Sequence, residues 1–299
     1  MSRDGVTVNL SDSISRLSID DWKRKVQEHR PQHRKAQTKQ IMKSKIGKMH
    51  FLDYLFVVLL LPGVTNSQIY NAPVPRLFGI ILFPGFTSLD IFGPLDALNR
   101  LSTQYTINLT LISTTLDPVA TEKLSWRKPL MNSTFGESIL PTHTFDTAPE
   151  LDVLIIPGGI GTNAPSPLLD PHVAFIKDRY PSLQYLITTC TGSWLAARAG
   201  VLDGKRATSN KAAWANTTMY EGPEARWVAE ARWVVDGNIW TSSGVSAGID
   251  VTIAWIGNVF SEKLAVTIAN SMEYTRHLDS TDDPFARLYG LTNEHNSTY

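Results

Sequence analysis

One cysteine, Cys190, is all that the 299 residues carry. An intrachain disulfide and a paired-cysteine metal motif are therefore excluded. Charge is also scarce, at 19% of residues, while 42% are hydrophobic; that balance suits a buried core better than a disordered chain. No charge of one sign prevails, because 28 Lys and Arg face 28 Asp and Glu. The distribution is uneven: residues 1–50 hold 12 basic and 5 acidic side chains, leaving 16 against 23 for the rest. A mildly acidic body argues against nucleic acid as its partner. No apolar run reaches the roughly 20 residues of a membrane-spanning helix, so no stable span is expected in the mature chain. Neither a glycine-rich nucleotide fingerprint nor a metal-ligand cluster is visible, and no cofactor or metal is implied.

What is present begins with a basic extension, residues 1–48, which reads as disordered or loosely helical. Residues 51–61 form an eleven-residue apolar stretch with one acid. Met42, Lys43, Lys45 and Lys48 precede it, and Thr65, Asn66 and Ser67 follow it. This order of positive, apolar and small residues predicts a signal peptide over 42–67 and a mature chain starting near Gln68. A secretory route is the corresponding expectation, with a cytoplasmic one as alternative. Sequons at Asn108, Asn132, Asn216 and Asn296 fit the secretory reading.

From about residue 77 the chain alternates strand-like and helix-like segments. Apolar runs at 77–83, 105–112, 153–156 and 185–189 read as strands buried on both faces, as in a parallel sheet under helices. Ile91, Leu95 and Leu98 mark a helix, with Pro94 expected near its first turn, where proline is tolerated. A second helix covers 193–199 and stops at Gly200. Asp236-Gly237 reads as a hairpin turn, and Ser246 as the cap of a helix over 249–259. The sum is an α/β sandwich in three layers with a mainly parallel sheet. The near-repeat at 224–228 and 230–234 occurs only twice and reads as local duplication.

In such sheets the chemistry lies at the carboxyl ends of the strands. Three candidates stand there. Cys190 ends a β-branched strand and is followed by Thr191, Gly192 and a helix, the arrangement of a nucleophile elbow. A helix start beside the sulfur predicts a lowered thiol pKa. Asp90 follows the first strand, where a carboxyl can hold and pass a proton. Gly158 and Gly159 end the third strand, where backbone N–H groups can meet an oxyanion together with the amide of Thr191.

Five segments carry a family resemblance: Phe83-Pro84-Gly85 through Leu89-Asp90, Leu154 through Gly159, Cys190-Thr191-Gly192-Ser193, Leu202 through Thr208, and Ser243 through Asp250. In this order they resemble the ThiJ/PfpI superfamily over about residues 76–287, leaving 288–299 as a polar tail. The branch they look most like is that of the isocyanide hydratases and their fungal relatives. The resemblance implies a flavodoxin-like, usually dimeric fold acting on a small-molecule substrate. It implies Cys190 as nucleophile and Asp90 as acid and base, with Gly159 and Thr191 supplying positioning and backbone N–H groups. The activity implied is hydration of an isocyanide to an N-substituted formamide.

One position departs from many relatives. Where they carry a histidine after the strand that follows Leu202-Asp203-Gly204, this chain has Asn210, beside the site with Gly158. His143 is the histidine nearest a site-bearing strand, with surface placement expected. A Cys-Asp arrangement is therefore favoured over a Cys-His one. Glyoxalase- or deglycase-like chemistry on reactive carbonyls needs the same thiolate and stays open, as does a non-catalytic sensor.

Overall fold

The computed structural model describes residues 73–293, apart from 123, 125, 127–132, 217–221 and 223. The basic extension, the segment 42–67 read as a signal peptide and the sequons at Asn132 and Asn296 lie outside the described residues. Asn108 is exposed at the start of a strand.

Seven strands form the main sheet. They are β1 (Leu77–Ile81), β2 (Asn108–Ser113), β5 (His143–Thr144), β6 (Val153–Ile156), β7 (Tyr185–Thr188), β10 (Trp233–Asp236) and β11 (Ile239–Ser242). Their order is β10-β11-β7-β6-β1-β2-β5, and every neighbouring pair is parallel except the β10–β11 hairpin. Two small pairs stand apart: β3 (Val119–Ala120) with β4 (Ser138–Ile139), and β8 (Arg206–Ala207) with β9 (Arg226–Trp227). Helices α1 (Ser88–Leu101), α4 (Ala247–Val259) and α5 (Glu262–Ser271) pack together as one layer, and α2 (Asp170–Arg179) packs with α3 (Gly192–Arg198). The short α6 (Pro284–Leu288) follows α5. This is the expected flavodoxin-like sandwich.

The sheet is dry because its strands are apolar on both faces. Ile80, Ile155, Ile187 and Trp240 lie side by side across four strands, and the three isoleucines are fully buried. Each such side chain contributes about 1.5–3 kcal/mol of transfer free energy. Trp255 of α4 closes one side with edge-on contacts to Phe78 and Tyr185 at 5.7 and 5.5 Å.

Several boundaries differ from the sequence reading. Strand β2 starts at Asn108 because Tyr105 belongs to the turn after α1, packed edge-on against Phe260 at 4.7 Å. Pro94 sits in the interior of α1, not its first turn. The hairpin loop is Gly237-Asn238, one residue later than read, with Gly237 at φ +63° where a primed turn needs glycine. Ser246 precedes α4, but its hydroxyl accepts from Arg232 Nη2 instead of capping the helix. The near-repeat falls on β9 and β10, two separate strands. The expected boundary at residue 287 falls inside α6. Beyond it Leu291 packs on the core, and Asn293 exchanges hydrogen bonds with Glu230, so the folded chain runs further.

His172 of α2 is 2% exposed, edge-on to Phe83 and Phe145, with Nε2 3.2 Å from the Leu82 carbonyl. Burial lowers its pKa from 6.5 to about 4. The folded state therefore prefers the neutral ring, and this contribution to stability is complete above pH 6.5. It is lost as the pH falls towards 4, on the order of 3 kcal/mol in all. Urea unfolding of the protein and of His172→Phe at pH 7 and pH 4.5 should show a smaller acid loss in the variant. Equal losses would contradict this assignment.

Candidate active site

The elbow is built by strain and close approach. Cys190 has φ +55°, a left-handed conformation for a non-glycine residue. Its backbone is held on both sides. Its N–H donates to the Ser243 carbonyl at 3.1 Å, and its carbonyl accepts from the hydroxyls of Ser193 and Ser209 at 3.2 Å each. Gly192 permits the turn to sit on the sheet, since a Cβ there would lie 2.1 Å from the Ile156 carbonyl oxygen.

Asp90 reaches the same place from α1 and is fully buried. Its Oδ2 accepts from the Gly158 N–H at 3.0 Å. The proline inside α1 has a role here. Pro94 has no N–H, so the Asp90 carbonyl four residues earlier loses its usual helical partner. The hydroxyl of Thr189 donates to that carbonyl at 3.3 Å. The residue before the nucleophile thereby ties the acid to the elbow.

Gly158 and Gly159 lie between these two groups. A Cβ on Gly158 would fall 2.5 Å from the Thr191 nitrogen and 2.8 Å from the Cys190 Cβ. Gly159 has φ +139°, which only glycine adopts readily. Its N–H donates to Thr191 Oγ1 at 3.0 Å, and the Thr162 hydroxyl reaches the same oxygen at 3.0 Å. Both glycine amides thus already have acceptors. They position Asp90 and Thr191, and neither is free for an oxyanion as the sequence reading expected. Thr191 contributes twice: its side chain clamps the 159–162 loop, and its N–H points to the Cys190 sulfur.

Three donors surround that sulfur: the N–H groups of Thr191 and Val245, and Asn210 Nδ2 at 3.2 Å. Asn210 is fixed by its own Oδ1, which accepts from the Ala213 N–H. Val245 was not singled out by the sequence reading, although its segment was. Its φ of +31° aims its amide at the sulfur, and Gly244 beside it leaves Asn210 room.

The thiol was expected to be acidic, and here the structure corrects the sequence. Cys190 is 4% exposed. Burial and the Asp90 charge push its pKa up to about 12, against the pull of the three donors. Burial likewise raises Asp90, from 3.8 to about 7, despite the Gly158 N–H and the thiol. The two groups act as one unit, so these values describe the pair. Above about pH 7, and well below 12, the pair holds one proton and one negative charge.

No described histidine takes part. His143 lies on β5 at the far edge of the sheet, His172 meets Leu82, and His277 meets Asp282. Among the described residues no group of three or more His, Cys, Asp or Glu side chains could hold a metal ion.

Against two of the sulfur's donors lies a cavity of about 230 Å³, lined by Asn210, Val245, Phe285 and Tyr289 among others. Lys211 Nζ is buried beside it and meets Asp283 Oδ2 at 3.2 Å. It also donates to Thr208 Oγ1, the Ser209 carbonyl and the Ala231 carbonyl, at 2.7, 3.1 and 2.9 Å.

A thiol raised on a strand-to-helix turn, at the carboxyl ends of a parallel sheet and paired with a carboxyl from the helix that follows β1, defines a class of α/β thiol proteins. The chain belongs to the DJ-1/PfpI family, whose model matches residues 78–257. Over 200 residues it is 32% identical to the isonitrile hydratase of Pseudomonas putida, covering 66% of this chain and 77% of that protein. It is 28% identical to the HTH-type transcriptional regulator GbdR of Pseudomonas aeruginosa over 209 residues, 70% of this chain. It spans only 53% of the regulator. Among solved structures, a THiJ/PfpI family protein from Pseudomonas syringae superposes with a TM-score of 0.55 at 27% identity, over 75% of this chain and 86% of that one.

Proposed function

We propose that this chain hydrates isocyanides to N-substituted formamides, with Cys190 as nucleophile and Asp90 as proton carrier. The observation that carries the reading is the buried Cys190–Asp90 pair, which holds one proton above about pH 7 and has no histidine against it among the described residues. The terminal carbon of an isocyanide must gain both a nucleophile and a proton. A thiol and a carboxyl that share one proton can deliver both to a single atom.

The steps balance as follows. The sulfur forms a bond to the terminal carbon while the shared proton moves to the same carbon, giving an S-linked thioimidate and an Asp90 carboxylate. Asp90 then takes a proton from water as the hydroxide adds to that carbon, and the proton passes to nitrogen. Collapse of the adduct breaks the C–S bond and forms the formamide C=O. The hydroxyl proton returns to the pair, restoring its single proton. Asn210, Val245 and Thr191 offset the charge on sulfur when it leaves.

A panel of alkyl isocyanides and 2-oxoaldehydes tests this reading, with products followed by NMR. Formamide formation with no conversion of the oxoaldehydes is the expected result. Turnover of oxoaldehydes alone would replace it with a glyoxalase-like reading. Turnover of neither by folded protein would favour a sensor.

A further inference from the structure

We infer that Phe285 and Tyr289 form a specificity wall, and that the cavity beneath them takes an uncharged substrate with a ring-sized apolar substituent. For the reacting group this rests on the hydratase reading; for the substituent it rests on the cavity alone.

The cavity shares Asn210 and Val245 with the donors around the Cys190 sulfur. A molecule that fills it therefore lies against two of the groups that touch the sulfur, although Cys190 itself does not line the cavity. Its lining also includes two aromatic residues separated by one helical turn, Phe285 on α6 and Tyr289 just past its end. Both are about half exposed, at 44% and 50%. A bound apolar group would cover surface that water now reaches, which is favourable in proportion to the area covered.

Size and charge narrow the ligand. An apolar cavity of about 150 Å³ accepts benzene, so about 230 Å³ holds a six-membered ring together with a small reactive group. The one charged group in the lining is Lys211. Its ammonium is buried, paired with Asp283 and bonded to three further oxygens. It has no spare donor directed at a substrate anion. Ser243 and Ser246 add only neutral polar atoms. A carboxylate or phosphate would lose its hydration without gaining an ion pair.

The wall is held in place from below. Asp283 caps α6 by accepting from the Phe285 N–H at 3.0 Å, and Lys211 anchors that same carboxylate. Ala286 is buried between the two aromatic residues in sequence. The wall is thus part of the fold and can discriminate by shape.

Because Cys190 is the chain's one cysteine, its alkylation reports on the cavity whether or not isocyanides are turned over. The rates of iodoacetamide and N-benzyl iodoacetamide at pH 8 would be read by intact-protein mass for the wild type, Phe285→Ala, Tyr289→Ala and Ala212→Phe. The wild type should prefer the benzyl reagent by about tenfold or more, a modest value for one apolar group in a pocket. Each alanine variant should lose most of that preference while its iodoacetamide rate stays within about twofold of wild type. Ala212→Phe changes an exposed residue of the lining and fills the cavity. It should lose the preference even if an alanine variant folds poorly. No preference in the wild type, or an undiminished one in the folded variants, would overturn the inference. A second arm compares cyclohexyl and methyl isocyanide, with the variants expected to raise KM for the cyclohexyl substrate and leave kcat nearly unchanged. If the benzyl preference behaves as described but neither isocyanide reacts, the hydratase reading fails and the wall stands.

Discussion

Asp90→Asn should lower turnover by about 10²–10⁴-fold, the scale of general acid–base catalysis, while making Cys190 easier to alkylate. The two effects have one cause. An amide cannot carry the proton that the reaction needs at carbon. It also lacks the charge that, after burial, is the second cause of the raised thiol pKa. Removing that charge lets Thr191, Val245 and Asn210 pull the thiol pKa down. Iodoacetamide rates as a function of pH should rise at a lower pH in the variant than in the wild type. If Asp90 only braced the fold, loss of activity would come with loss of stability. The opposite is expected. The pKa of Asp90 is raised in the folded state, from 3.8 to about 7. Its favourable contribution is complete below pH 3.8 and is lost as the pH rises through 7. At pH 8 the asparagine variant should therefore be no less stable than the wild type. Asn210→Ala removes a donor to sulfur but no proton carrier, and should cost less turnover than Asp90→Asn. Slower alkylation in Asp90→Asn would show that its carboxyl favours the thiolate, and would reverse the proton assignment.

Lys211→Met should destabilise the protein by about 3–5 kcal/mol, because it leaves the Asp283 carboxylate buried without its partner. That is a large share of the usual total of about 5–15 kcal/mol. Both side chains of the pair are almost wholly enclosed, at 1% and 0% exposure. The substitution also strips hydrogen bonds from Thr208 Oγ1 and the Ser209 and Ala231 carbonyls. Burial is already costly to the ammonium, lowering its pKa from 10.5 to about 8 even with Asp283 beside it. Adding Asp283→Asn to Lys211→Met should recover much of the loss, since the charge is gone and asparagine still caps α6. Urea denaturation of the two single variants and the double variant measures this coupling. Additive losses would contradict it.

How far these features were legible depends on how local they are. The elbow was readable because strand, Cys190, Gly192 and helix follow one another along the chain. The parallel sheet was readable because β1, β6 and β7 are short apolar runs closed by Pro-Gly or by the nucleophile. Asp90 could be picked out as a residue at a strand end, but its partnership with Gly158 and Cys190 joins segments 68 and 100 positions apart. Lys211 and Asp283 are separated by 72 positions and carry no motif, so nothing in the sequence pairs them. The thiol pKa was misread because a helix start is visible in sequence, whereas near-total burial and a neighbouring carboxyl are properties of packing. Pro94 was misplaced for a related reason: a proline normally marks a first turn, and only the fold supplies the Thr189 hydroxyl that satisfies the freed carbonyl.

The central claim is that the Cys190 sulfur attacks the substrate carbon, and one comparison tests it most directly. Initial rates of N-substituted formamide production from cyclohexyl isocyanide would be measured at pH 7 for wild type and for Cys190→Ser, with both confirmed as folded by circular dichroism. Steady formation of many formamide molecules per wild-type chain, and none above the uncatalysed rate for Cys190→Ser, is the expected result. Comparable formamide production by Cys190→Ser would contradict the account.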